Sequence, residues 1–91
     1  MPPRRYFNVT ESTSGLTFVF RYDPAAPEFL HIFARHATHP DEAIDTFFDA
    51  EGETLWNTQH ARFETYSNTH GLFWFWIEPR RVVMVISCFR L

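Results

Sequence analysis

Four polar residues at alternate positions near the middle of the chain could do acid–base chemistry. They are His60, Arg62, Glu64 and Tyr66, and alternate side chains of a β-strand point to the same face. Glu64 could take the proton from a ribose 2′-hydroxyl while His60 protonates the leaving 5′-oxygen. Arg62 could neutralise charge on the scissile phosphate, and Tyr66 could stack on a base. The pattern predicts a metal-independent ribonuclease site, but it also fits the solvated face of an antiparallel strand.

Two residues outside this strand are further candidates. Arg90 ends the last predicted strand and could bind phosphate if that strand lies beside residues 60–66. His36 lies on the apolar side of a predicted helix, where we expect a half-buried, hydrogen-bonded histidine. Arg80 and Arg81 fall in a predicted turn, and there we expect them to be solvated.

The histidines and the cysteine do not form a metal-binding pattern. His36 and His39 are separated by a predicted helix break, and His31 and His36 are five residues apart, which places them on different helix faces. The three glycines are too scattered for a phosphate-binding loop, so we expect neither a metal nor a cofactor. Cys88, the single cysteine, is expected in the core and fits a reducing compartment.

The composition indicates one domain in a cytoplasmic protein. Ninety-one residues leave no room for two cores, and a hydrophobic content of 45% can fill one. The apolar runs are too short to span a membrane, so we expect no membrane partner. The first five residues are followed by no apolar stretch, which argues against a secretory signal.

The charge is uneven along the chain and points to a second function. All eight basic residues are arginines, and the net charge is −3. Six of the eleven acids lie between Asp41 and Glu53. The chain as a whole therefore lacks the basic footprint of a tight nucleic-acid binder. The alternative is a non-enzymatic acidic inhibitor, of phage anti-defence or immunity type, that blocks a basic nucleic-acid-binding protein.

The clearest structural signal is a C-terminal β-hairpin. Two aromatic and β-branched runs, residues 72–77 and 81–89, flank a short polar turn. Both runs are apolar at almost every position, which predicts central strands with cover on both faces. The sequence leaves open whether this cover comes from the chain itself. If one aromatic face is bare, it would mark a protein partner or a homodimer surface on the aromatic strand.

The remaining elements predict an α+β fold. Alternation and turn residues predict strands near 5–9, 16–22, 54–58 and 62–67. Apolar spacing predicts one helix from about 27 to 36 and another that begins at a capping box in 38–41 and ends at 50–52. We therefore expect two short helices on one face of a mostly antiparallel sheet.

Several short motifs resemble the BrnT-type toxin family. They are Phe20-Arg21-Tyr22-Asp23-Pro24, Arg35-His36-Ala37, Asp41-Glu42-Ala43 with Phe47-Phe48-Asp49, Ala61-Arg62-Phe63, and Val85-Ile86-Ser87-Cys88-Phe89-Arg90. The resemblance implies a RelE/BrnT-like fold and a ribonuclease toxin that cleaves RNA and is neutralised by a small DNA-binding antitoxin. It also implies functional roles for His36, Arg62 and Arg90.

Overall fold

The computed structural model describes residues 5–91 and shows an α+β fold, which confirms the predicted class. The strands are β1 Tyr6–Thr10, β2 Thr17–Arg21, β3 Glu53–Asn57, β4 Arg62–Tyr66, β5 His70–Glu78 and β6 Val82–Arg90. The helices α1 His31–His36 and α2 Pro40–Phe47 lie between β2 and β3 in the chain. The strand order is β1-β2-β6-β5-β4-β3, and every pair is antiparallel except β2–β6. Residues 1–4, which belong to the segment that argues against a secretory signal, lie outside the residues that the structure describes.

The predicted hairpin forms the centre of the sheet. β5 and β6 pair antiparallel with two register irregularities, and β-branched and aromatic residues favour such pairing. The Arg81 N–H closes the turn by donating to the Glu78 carbonyl at 3.0 Å. Arg80 takes the left-handed conformation that the turn needs, with a φ of 62°.

The core lies between the helices and one face of the sheet, which we call the helix face. Its buried side chains are Phe18, Phe20, Ile32, Ala43, Leu72, Trp74, Val83, Val85 and Cys88. Trp74 is the largest of them, and its indole N–H donates to Thr65 Oγ1 at 2.9 Å. Phe63 stacks on the Trp74 ring with centroids 4.6 Å apart. Phe63 and Thr65 therefore face the core, on the side of β4 opposite to Arg62, Glu64 and Tyr66.

The first helix is shorter than predicted. It begins at His31, whereas the sequence predicts a start near Pro27. Leu30 forms an isolated antiparallel bridge with Tyr22, so the chain is extended just before His31. Residues 23–29 instead form turns, with hydrogen bonds from the Ala26 N–H to the Asp23 carbonyl and from the Phe29 N–H to the Ala26 carbonyl.

The second helix keeps its predicted apolar stripe but has a different boundary. His39 is the residue that caps it, and Glu42 Oε2 accepts the His39 N–H at 2.9 Å. Thr38 is instead fully buried, and its hydroxyl donates to the Cys88 carbonyl at 2.7 Å. The helix ends at Phe47, before the predicted stop at residues 50–52.

Within residues 5–91 neither helix lies over the opposite face of the sheet, which we call the open face. Of the two alternatives that the sequence leaves open, the described residues thus show a hairpin that the chain covers on one face only. Leu72, Trp74 and Trp76 pack on the helix face, which leaves Phe73 and Phe75 on the open face. Phe75 is 37% exposed.

Cys88 lies in the core as predicted, and burial raises the pKa of its thiol to about 11. Such a thiol is inert at neutral pH. Among residues 5–91 no helix is long and apolar enough to cross a lipid bilayer.

Candidate functional site

His60 does not lie on the strand with the other three predicted residues, so that part of the prediction is wrong. β4 begins only at Arg62, and His60 belongs to the turn before it. The turn forms because Asn57 Oδ1 accepts the His60 N–H at 3.0 Å and Ala61 takes a φ of 51°. The chain reverses there, so the alternation of β4 does not extend back to His60.

Glu64 lies on the open face, where three neighbours hold both of its oxygens. Oε2 accepts from Asn57 Nδ2 and Arg62 Nε, each at 2.9 Å. Oε1 accepts from the Tyr66 hydroxyl at 2.8 Å. The hydrogen bonds from Asn57 and Tyr66, followed by that from Arg62, hold the pKa of Glu64 below the usual value. A carboxylate stabilised in this way is a weak proton acceptor, so the geometry does not favour Glu64 as a general base.

Arg62 and Tyr66 remain on the open face beside this carboxylate. The Arg62 guanidinium lies over the Phe73 ring, 3.8 Å from its centroid. Its bond to Glu64 uses Nε, so the two Nη groups are not needed for that contact. Burial and the neighbouring Glu64 raise the pKa of Tyr66, which keeps its hydroxyl protonated.

Arg90 is separated from β4 and does not join the open face. β5 lies between β4 and β6, so the strand of Arg90 does not border β4. The phosphate-binding role of Arg90 was predicted only for neighbouring strands, and this condition is not met. Its guanidinium donates to the Ala37 carbonyl at 3.1 Å and to Glu42 Oε1 at 2.8 Å. His70 Nε2 contacts the same Glu42 oxygen at 2.9 Å. Arg90 thus ties the α1–α2 junction to the end of β6.

His36 is more exposed than predicted. It is an exposed side chain at the end of α1, and its ring packs 5.8 Å from the Phe89 ring. No side-chain hydrogen bond joins it to another residue within 5–91, so the prediction of a half-buried, hydrogen-bonded histidine is wrong. Phe89 in turn packs edge-on to Phe73 at 5.0 Å, which connects His36 with the open face.

A second polar cluster, centred on the buried carboxylate of Asp23, was missed by the sequence reasoning. Asp23 is 1% exposed, and its Oδ1 accepts the N–H groups of Ala25 and Ala26 at 2.8 and 3.2 Å. Its Oδ2 accepts from Arg35 Nε at 3.0 Å and lies 3.3 Å from His31 Nδ1. These bonds, that from Ala25 above all, hold the pKa of Asp23 below the usual value.

The orientation of His31 is fixed from both sides. Arg21 Nη2 lies 3.3 Å from His31 Nε2, and a guanidinium can only donate. His31 Nε2 therefore accepts, and Nδ1 carries the proton that is directed at Asp23. Burial and the positive charge of Arg21 lower the pKa of His31, which favours a neutral imidazole.

His31 and His36 lie side by side, contrary to the prediction from their spacing. Their ring centroids are 6.4 Å apart and the rings are nearly perpendicular. Both residues belong to α1, of which His31 is the first residue and His36 the last. An aspartate eight residues before a histidine has no periodic signature, so no pattern in the sequence indicates this cluster.

A groove on the open face reaches Arg21, the residue that contacts His31. It has a volume of about 290 Å³ and is lined by Tyr6, Arg21, Phe75, Met84, Val85 and Ile86. A neighbouring groove of about 430 Å³ includes Arg5, Tyr6, Arg21 and Asp23. Arg21 lines both grooves and also contacts His31, so the aromatic surface and the histidines share one edge.

No three His, Cys, Asp or Glu side chains within residues 5–91 come together as metal ligands would. Comparison with protein-family models, with curated proteins and with solved structures found no match to this chain.

Proposed function

We propose that this protein binds single-stranded RNA on the open face of its sheet and cleaves it as a metal-independent ribonuclease of the toxin type. One observation carries the proposal: aromatic rings line the open face beside arginine side chains. The rings are those of Tyr6, Phe73, Phe75 and Phe89, and the arginines are Arg21 and Arg62. Unpaired bases stack on such rings, while guanidinium groups bind the phosphates between them.

The distribution of charge supports RNA binding despite the net charge of −3. Outside residues 41–53 the chain carries eight arginines against five carboxylates. Three of those carboxylates, Asp23, Glu64 and Glu78, are already paired with arginines. α2 carries three of the six acids of this segment and packs on the helix face, across the sheet from RNA on the open face. Glu53 pairs with Tyr66 and lies on the open face, at its β3 edge.

The resemblance to BrnT-type toxins supports cleavage and implies a protein partner, the antitoxin. A toxin of this kind arrests growth when it is expressed alone. Growth arrest should persist in the Ile77→Ala variant and should be lost in a variant that no longer binds RNA. A harmless wild-type protein would argue against the toxin assignment.

Binding is tested with a fluorescently labelled RNA of mixed sequence, as a single strand and as a duplex. Anisotropy should show tighter binding of the single strand, because only unpaired bases can stack. Phe75→Ala should weaken binding roughly 5- to 150-fold, since one base–ring stack contributes about 1–3 kcal/mol. Ile77→Ala is the matched control, because Ile77 lies on the same strand and is 51% exposed but has no ring. An equal loss of RNA affinity in both variants, or no RNA binding by the wild type, would contradict the proposal.

Cleavage is tested on the same RNA by gel electrophoresis, with and without EDTA. The proposal expects cleavage that EDTA leaves unchanged. The predicted homodimer through the aromatic strand competes for the same surface, and sedimentation would reveal it. If the protein forms a dimer that Phe75→Ala dissociates, and this dimer binds no RNA, then the ligand of the open face is a second copy of the chain and not RNA.

A second candidate, the acidic inhibitor, is favoured by one specific observation. Five carboxylates of the acidic segment are exposed and form no ion pair with any other residue in 5–91: Asp41, Asp45, Asp49, Glu51 and Glu53. Such a surface suits a basic nucleic-acid-binding protein. An inhibitor would be harmless on expression. It would also bind its partner in a salt-sensitive way that weakens when Asp45 and Asp49 are changed to arginine.

A further inference from the structure

We propose that His31, oriented by Asp23, is the general base and His36 the general acid of an RNA transphosphorylation centre at the edge of the open face. This inference rests on the proposed function and deepens it by naming the residues that carry the chemistry. It also moves the chemistry away from Glu64, whose oxygens are both occupied.

The hydrogen bonds of His31 give it the form that a base requires. Its Nδ1–H is directed at Asp23 Oδ2, 3.3 Å away, which leaves the lone pair on Nε2 facing Arg21. Asp23 is itself held by two backbone N–H groups and by Arg35, so the orienting carboxylate cannot turn away. A neutral imidazole with a fixed tautomer and its lone pair on Nε2 is the group that general-base catalysis uses, once the contact with Arg21 is released.

The imidazole of His36 lies where a second proton carrier is needed. The attacking and leaving oxygens of a phosphoryl transfer lie roughly in line on opposite sides of phosphorus. The ring centroids of His31 and His36 lie 6.4 Å apart and His36 is exposed, so the oxygens of one phosphodiester can reach both imidazoles from the solvent side.

The reaction balances without a further reactant. His31 Nε2 takes the proton of the ribose 2′-hydroxyl, and the 2′-oxygen forms a bond to phosphorus. The bond between phosphorus and the 5′-oxygen breaks, and the imidazolium of His36 gives that oxygen its proton. The products are a 2′,3′-cyclic phosphate and a 5′-hydroxyl end.

Arg21 couples substrate binding to the release of the base. Its contact with His31 Nε2 is long, at 3.3 Å, and Arg21 forms no salt bridge with a carboxylate of residues 5–91. A phosphate oxygen accepts a charge-assisted bond from a guanidinium more strongly than a neutral nitrogen does. An incoming phosphodiester should therefore draw Arg21 towards itself and free Nε2 for the 2′-hydroxyl.

The direct test compares His31→Gln, His36→Gln and a control, His60→Gln, on single-stranded RNA. His60 lies in the turn before β4 and takes no part in the cluster. We expect His31→Gln and His36→Gln to slow cleavage about 10²-fold or more, as loss of an acid or a base does. His60→Gln should stay within about twofold of the wild type. RNA affinity should be retained in all three variants, and mass spectrometry should find cyclic-phosphate ends.

A pH profile gives a second readout that a purely structural role would not change. The charged and titratable groups that face His31 are Arg21, Asp23 and His36, with Arg35 behind Asp23. Arg21 lowers the pKa of His31, so Arg21→Gln should move the acid limb of kcat/KM to higher pH.

The outcomes separate this inference from the proposed function. Cleavage by His31→Gln at the wild-type rate would overturn the inference and leave the ribonuclease proposal intact. RNA binding by a wild-type protein that does not cleave would overturn the inference and leave only the binding surface. A wild-type protein that neither binds nor cleaves RNA would overturn both.

Discussion

Arg21 gives the sharpest quantitative prediction, because its guanidinium forms no salt bridge within residues 5–91. Arg62 and Arg35 lie near the same surface, but each is paired with a carboxylate, Glu64 or Asp23. Within the described residues, the one hydrogen bond of the Arg21 side chain is to His31 Nε2. Among these three arginines it is therefore the one whose charge a bound phosphate can use without breaking an existing ion pair.

The magnitude follows from counterion release. On a single strand each neutralised phosphate contributes about −0.7 to the slope of log K against log salt concentration. If Arg21 and Arg62, the two arginines of the open face, each contact one phosphate, the wild-type slope is about −1.4. Arg21→Gln should bring it to about −0.7, so a tenfold rise in salt would weaken binding roughly 5-fold instead of 25-fold.

The assay is fluorescence anisotropy with the single-stranded RNA over a range of NaCl concentrations. Arg81→Gln is the matched control, since Arg81 is 76% exposed but lies in the hairpin turn. The Arg81 carbonyl accepts the N–H of Thr17, which places Arg81 at the end of β2 opposite to Arg21. The reasoning fails if Arg21→Gln leaves the slope unchanged, or if Arg81→Gln reduces it by as much.

Three further predictions concern stability and its dependence on pH. Thr38→Val should lower the free energy of unfolding by about 1–3 kcal/mol in urea melts, because the Cys88 carbonyl loses a buried donor; an unchanged midpoint would contradict this. Leu72→Ala should cost about 2–5 kcal/mol, since Leu72 is 0% exposed, whereas Ile77→Ala on the open face should stay within about 0.5 kcal/mol. Hydrogen bonds lower the pKa of Glu64, so its contribution to stability is present above about pH 4.5 and is lost as the pH falls through the lowered pKa. Glu64→Gln should therefore lose less stability than the wild type on acidification, while still cleaving RNA; equal acid sensitivity would contradict the pairing.

The sheet and its hairpin could be predicted because their signals are local. Alternating apolar residues and turn residues are sufficient to find the strands, and the aromatic run marks the central ones. The parallel contact between β2 and β6 joins distant parts of the chain and has no local signature. The bare face could not be predicted, because alternation shows that a strand has two faces but not how many layers cover them.

The predicted site shows the same limit. Arg62, Glu64 and Tyr66 share a face, as period-two alternation requires, but alternation does not reveal that both Glu64 oxygens are occupied. Arg90 and His36 lie away from these three residues because their positions depend on strand order and on where α1 begins. The Asp23–His31 pair forms because turns at residues 23–29 replace the predicted first turns of the helix.

The central claim is that RNA occupies the open face, and an NMR titration of ¹⁵N-labelled protein tests it most directly. The ligand is a single-stranded 2′-O-methyl RNA, which has no 2′-hydroxyl to attack phosphorus and cannot be cleaved. The account predicts shifts at Phe73, Phe75 and Met84 and at the side chains of Arg21 and Arg62, with α2 unaffected. Shifts confined to the acidic segment 41–53, or no shifts at RNA concentrations far above those of the anisotropy assay, would contradict it.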